Sequence, residues 1–145
     1  MENENDLIVT RTFNASVSKV WKALTDKNDM KNWYFDLPEF KAEVGFEFTF
    51  SGGPDPSRQY KHLCEVTAVI PEKKLTYSWR YEGYAGISYV TFELSAQGDK
   101  TLLTLTHTGT ETFPKENPDL AKGNFVAGWD AIINTSLKTY LEPAE

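Results

Sequence analysis

The hydrophobic pattern along the chain changes period twice. Leu7-Ile8-Val9-Thr10-Arg11-Thr12-Phe13 is rich in β-branched residues and predicts a strand. Asn14-Ala15-Ser16 has the composition of a helix start, and Val17, Val20, Trp21 and Leu24 then recur on one helical face. Thr25-Asp26 ends that helix. Asp26 can cap a second short helix, with Asp29 near its positive end and Met30 and Trp33 on its apolar side. From Phe40 to Gly109 the period becomes two. Phe46, Phe48 and Phe50 alternate with polar residues. Tyr60, His62, Cys64 and Val66 share one strand face, as do Leu75, Tyr77, Trp79 and Tyr81. Ser88, Val90, Phe92 and Leu94 make a further row, and Thr101, Leu103, Leu105 and His107 the last. Turn-formers separate these runs at Ser51–Pro56, Pro71–Lys74, Glu82–Gly86 and Gln97–Lys100.

Hairpin-connected strands with one apolar face predict an antiparallel meander, wet on its other side, whose buried face needs a cover. The C-terminal segment supplies it. Asn117-Pro118 has the composition of a helix start, Gly123 is a candidate interruption, and Phe125, Trp129, Ile132, Ile133, Ser136, Leu137, Tyr140 and Leu141 follow helical spacing up to Glu142-Pro143. A helix of about 18 residues is roughly 27 Å long. Gly128, beside Trp129, costs roughly 1 kcal/mol relative to Ala inside a helix, which suggests a close backbone approach there or a merely tolerated glycine. The expected class is α+β: a curved antiparallel sheet wrapped around a long C-terminal helix, with two short helices after the first strand.

The 145 residues suit one domain, residues 1–145 with a core of about 7–142. Twenty aromatic residues (4 Trp, 7 Tyr, 9 Phe) argue against disorder. One cysteine, Cys64, rules out an internal disulfide and makes a reducing, cytoplasmic setting the default. The polar, acidic start Met1–Asp6 is the reverse of a signal peptide, and no apolar run is long enough for a membrane span. A net charge of −6 disfavours nucleic acid and anionic membranes as partners.

Five stretches carry a resemblance. Val20-Trp21-Lys22-Ala23-Leu24-Thr25-Asp26 with Trp33 resembles the opening of the START-like (SRPBCC) superfamily, and Leu75-Thr76-Tyr77-Ser78-Trp79 its central strand. Val90-Thr91-Phe92-Glu93-Leu94 and Leu103-Thr104-Leu105-Thr106-His107-Thr108-Gly109 resemble its last hairpin, and Gly128-Trp129 with Leu137 and Tyr140-Leu141-Glu142 its terminal helix. Within the superfamily the likeness is to homologues of the heat-shock-protein-90 ATPase activator, from about Leu7 to Glu142. Ser16 stands where that family often has proline, and Val44-Gly45-Phe46 keeps one of two usual glycines. The resemblance implies a helix-grip fold with a cavity between sheet and helix. It also implies relatives that bind lipids, sterols or polyketides, some that are cyclases or hydrolases, and some that bind chaperones. The full-length activators carry a further N-terminal domain, which this chain is expected to lack.

The residues placed in that cavity are Trp33, Phe48, Phe50, Tyr60, His62, Cys64, Tyr77, Trp79, Phe92, His107, Phe125 and Trp129, with Tyr60, His62, Tyr77 and His107 able to orient a polar end. The plain alternative is that these rings fill a core. His62 and Cys64 lie two apart on one strand face, but roughly 6.5 Å separates such neighbours and no third group orients them, so no catalytic residue is assigned. His62, Cys64 and His107 lack zinc-ligand spacing, so no metal or cofactor is expected. Asp26/Asp29 and Glu111/Glu116 read as solvated caps and loops. Gly52-Gly53 lacks the lysine and following helix of a phosphate loop, and reads as a flexible rim. The expected partner is a small apolar or amphipathic molecule, lipid-like or polyketide-like. A chaperone under stress response, or cyclase- or hydrolase-like chemistry, are the alternatives. The exposed edge strand Leu7–Phe13, or Tyr89 and Leu63, leaves monomer and homodimer both open.

Overall fold

The computed structural model describes residues 7–33, 39–55, 58–113 and 122–141. Strand β1 (Leu7–Phe13) leads into helices α1 (Val17–Thr25) and α2 (Lys27–Trp33). Five strands follow, β2 (Glu47–Asp55), β3 (Arg58–Ile70), β4 (Lys74–Tyr81), β5 (Ser88–Gln97) and β6 (Lys100–Thr108), then a 3-10 turn at Thr110–Thr112. The terminal helix has three parts: α3 (Lys122–Ala131), a π-helical segment (Ile132–Leu137) and α4 (Lys138–Leu141). All neighbouring strands are antiparallel, in the order β1-β6-β5-β4-β3-β2, so the meander closes on β1 and leaves β1 and β2 as edges. This is the α+β helix-grip architecture the sequence implies.

Local chemistry explains the short helices. Ser16 caps α1: its hydroxyl accepts from the Lys19 backbone N–H at 3.3 Å. The Asp26 carboxylate accepts from Asn28 N at 2.8 Å and opens α2. The Trp33 indole N–H then donates to Ala23 O at 2.8 Å and fastens α2 against α1. The Thr101 hydroxyl donates to Ala15 O at 2.8 Å, tying β6 to the start of α1. Gly45 has φ +94°, a left-handed conformation that side chains resist.

The alternating rows are buried as their period requires: Ser88, Val90, Phe92 and Leu94 on β5, and Thr101, Leu103, Leu105 and His107 on β6. Against them lie Ile133, Leu137 and Leu141 of the terminal helix and Val20 and Leu24 of α1 in one core.

Several details depart from the sequence reading, and one, Gly128, decides for its tolerated-glycine alternative. The period-two region begins as strand at Glu47, not Phe40; Phe40 is buried outside a strand, its ring edge-on to Phe48 at 5.1 Å. The loop expected at Ser51–Pro56 is mostly strand, because β2 extends to Asp55 and pairs with Arg58 after a register shift. Gly123 does not interrupt α3, and Gly128 has no close neighbour: a Cβ there would meet nothing within 4 Å. The helix instead changes form at Ile132–Leu137. Asn117-Pro118 lies outside the described residues.

Candidate functional site

Rings on the inward rows of β2 to β6 join Phe125 and Trp129 of the terminal helix in one connected field. Phe48 stands edge-on to Tyr77 at 5.0 Å, and Tyr77 contacts Phe92 at 5.9 Å. Phe92 faces the Trp129 indole at 6.1 Å, and Trp129 meets Trp79 at 5.6 Å. Phe50 stacks on the His62 ring at 4.4 Å, and His62 stands edge-on to Trp79 at 4.8 Å. Phe125 closes on His107 at 5.0 Å. The residues proposed from the sequence are all buried except Tyr60, which is half-buried between Tyr81 and Tyr84. Trp33 and Cys64 have more local surroundings. The Trp33 N–H serves the α1–α2 junction. Cys64 sits opposite Phe48 in the β2–β3 register.

Two neutral imidazoles lie in this field, and their partners fix their protons. The Trp129 indole N–H donates to His107 Nδ1 at 2.9 Å. Indole nitrogen is only a donor, so Nδ1 is unprotonated and Nε2 carries the hydrogen. His107 Nε2 donates to Ser88 Oγ at 2.7 Å, and the Ser88 hydroxyl donates on to Trp79 O at 3.2 Å. This directed chain runs from the terminal helix through β6 and β5 to β4. Burial lowers the His107 pKa to about 3, so the ring is neutral near pH 7. At His62 the proton is on Nδ1, which faces two acceptors, Tyr60 O at 3.0 Å and Phe50 O at 3.3 Å. Burial lowers its pKa to about 4, against the opposing effect of those carbonyls.

The titratable side chains in this field are held in their neutral forms. Both nitrogens of His107 are committed inside the protein. Burial pushes the Cys64 thiol up, away from the thiolate a nucleophile requires. The Tyr81 phenol is likewise raised by burial and accepts from the Trp79 indole N–H at 2.8 Å. Among the described residues, no three His, Cys, Asp or Glu side chains are grouped to hold a metal ion.

Two hollows open elsewhere. One of about 200 Å³ lies beside Glu47, Thr49, Leu63, Glu65, Ser78 and Arg80, and reaches Phe48 and Cys64. Another, about 690 Å³, runs past Val17, the Ile70–Lys74 turn and Leu94.

Sequence reasoning found the rings but missed Ser88 as the second partner of His107. A serine opening an otherwise apolar inward row was the available signal.

A sheet gripping a terminal helix across a largely aromatic interface defines a START-like domain. Residues 14–142 match the profile of the family described as "Activator of Hsp90 ATPase homolog 1-like protein", and the chain belongs to that family. Among solved structures, protein MLL2253 from Mesorhizobium loti is 27% identical, with 97% of this chain and 98% of that one covered and a TM-score of 0.78. CalU16 from Micromonospora echinospora is also 27% identical, over 95% of this chain and 76% of that one, with a TM-score of 0.74. Mll3558 from Rhizobium loti, 24% identical over 94% and 96% of the two chains, shares the fold with a TM-score of 0.80. No curated protein sequence matches the chain.

Proposed function

We propose that this protein is a non-catalytic binder of a small, neutral, apolar or amphipathic molecule, lipid-like or polyketide-like, held between the sheet and the terminal helix. One observation carries the reading: the rings beneath that helix surround two imidazoles that burial keeps neutral. Such an interior favours apolar area, at roughly 25 cal/mol per Å² removed from water, and rejects charge. Residues proposed to contribute are Phe48, Phe50, Tyr60, His62, Tyr77, Trp79, Phe92, His107, Phe125 and Trp129, with Trp33 and Cys64 at the margin. The proposed setting is the cytoplasm, with the domain as monomer or homodimer. No helix among the described residues is long and apolar enough to cross a membrane, which fits a ligand carried rather than a membrane entered.

Native mass spectrometry of the purified protein, followed by solvent extraction, tests this. A stoichiometric apolar adduct is the expected result. A clean mass, with no shift in melting temperature on addition of fatty acids, sterols or aromatic polyketides, would overturn it.

The family profile favours a second reading, regulation of a heat-shock chaperone ATPase. Unchanged chaperone ATPase activity at saturating concentrations of this protein would remove it.

A further inference from the structure

Among the described side chains, the terminal helix is anchored unequally along its length. Its π segment reads Ile-Ile-Asn-Thr-Ser-Leu, β-branched and short polar residues that are poor helix formers. A π segment within an α-helix is rare and recurs at functional sites. Beyond Ala131 the anchors are many: Ile133 and Leu137 are fully buried and Leu141 nearly so. Arg11 Nη1 donates to Asn134 Oδ1 at 3.0 Å, Lys19 Nζ to Leu141 O at 3.3 Å, and the Tyr140 hydroxyl to Asp29. Ahead of the π segment, among the described side chains, only Phe125 and Trp129 are buried, while Val126, Gly128 and Asp130 are exposed.

The one described hydrogen bond from an α3 side chain into the sheet is that of Trp129 to His107. With its own hydrogen given to Trp79 O, the Ser88 hydroxyl accepts from His107 Nε2, and while that bond to Trp79 stands Nδ1 stays an acceptor. Trp79, Phe92 and His107 are the sheet-side walls that the indole touches.

We propose that the Trp129 indole is an internal plug. The helix ahead of the π segment swings out about Ile132–Leu137. The space it vacates takes a neutral, ring-sized molecule with one hydrogen-bond donor, which replaces the indole N–H at His107 Nδ1. This rests on the binder reading and specifies its ligand: an acceptor-only imidazole nitrogen among rings selects a phenol or alcohol over an ether or a carboxylate. Burial of the incoming ring offsets the exposure of the outgoing indole.

The test uses the full chain with 2-naphthol and 2-methoxynaphthalene, alike in ring but differing in the donor. The Trp129 indole N–H is followed by nuclear magnetic resonance, assigned through Trp129→Phe, together with backbone amide exchange. 2-Naphthol should bind roughly tenfold tighter, the worth of about one hydrogen bond. The Trp129 N–H should lose protection as it binds, with faster amide exchange over residues 125–131 and none over 137–141. Trp129→Ala should bind 2-naphthol tighter than the wild type. 2-Naphthol bound while the Trp129 N–H stays protected, or both helix halves responding alike, would overturn the plug and leave the binder reading standing. No binding to wild type or Trp129→Ala, together with a clean native mass, would overturn both.

Discussion

At the scale of single residues, His107 shows what a strand pattern can and cannot reveal. Its place in an inward row follows from a period of two. Its role depends on Ser88 and Trp129, which come near it only once β5, β6 and the terminal helix are in register. Ser88→Ala removes the acceptor of His107 Nε2–H and leaves a buried donor unpaired. It should cost about 1–3 kcal/mol in urea unfolding, and a cost near zero would mean the chain of bonds is not a structural unit. Glycines give the opposite lesson, because their meaning is invisible without neighbours. Gly128→Ala should raise stability by about 0.5–1 kcal/mol, since its Cβ would enter open space inside a helix. At Gly86 the backbone has φ +103°, and a Cβ would stand 2.4 Å from Thr112 O. Gly86→Ala should therefore destabilise by more than about 1 kcal/mol, through strain and forced displacement together. Comparable melting temperatures for the two variants would contradict both assignments.

At the scale of elements, the strands from β3 onward were legible because their inward rows are apolar and their turns carry glycine, proline or aspartate. The start of β2 was not. Phe40 and Phe46 continue the aromatic alternation, yet the chain turns at Glu43–Gly45, where Phe46 N donates to Glu43 O at 3.0 Å. The terminal helix was legible as a helix, but its π segment was not, because helical spacing at Ile132, Ile133 and Leu137 tolerates one extra residue per turn. The unequal anchoring of that helix makes a contrast measurable. Ile133→Ala removes a fully buried side chain and should cost about 2–5 kcal/mol. Val126→Ala, 45% exposed on α3, should stay within about 0.5 kcal/mol of wild type. Chemical denaturation of both variants decides it, and similar losses would mean that the two halves of the helix are held equally.

At the scale of the whole molecule, no charged residue is fully buried among those described, although Arg11 is half-buried beside the terminal helix with its Nε enclosed. The buried polar side chains among the described residues are His, Thr and Ser, with no Asp, Glu, Lys or Arg among them. The two imidazoles therefore form the acid-sensitive part of this interior. His62 is enclosed by Phe50, Trp79 and Tyr81, and His107 by Trp79, Phe125 and Trp129, none of which is charged near neutral pH. Desolvation holds their folded pKa values at about 4 and about 3, below the ordinary 6.5. The sign follows from proton counting. Between these values and about 6.5 the unfolded chain binds protons that the folded one does not, so stability falls as the pH drops through that window. Each histidine contributes a slope approaching about 1.4 kcal/mol per pH unit, and the loss levels off only below the folded pKa. His107→Gln can still accept from Trp129 and donate to Ser88 but cannot titrate. Its stability curve should therefore run flatter than wild type by up to about 1.4 kcal/mol per pH unit between roughly pH 6 and 4, with the two converging in slope above pH 7. Urea unfolding at half-unit steps from pH 4 to 8 measures this directly. Parallel curves would show that His107 titrates alike in both states, and the neutral imidazole on which ligand selection rests would fall with it.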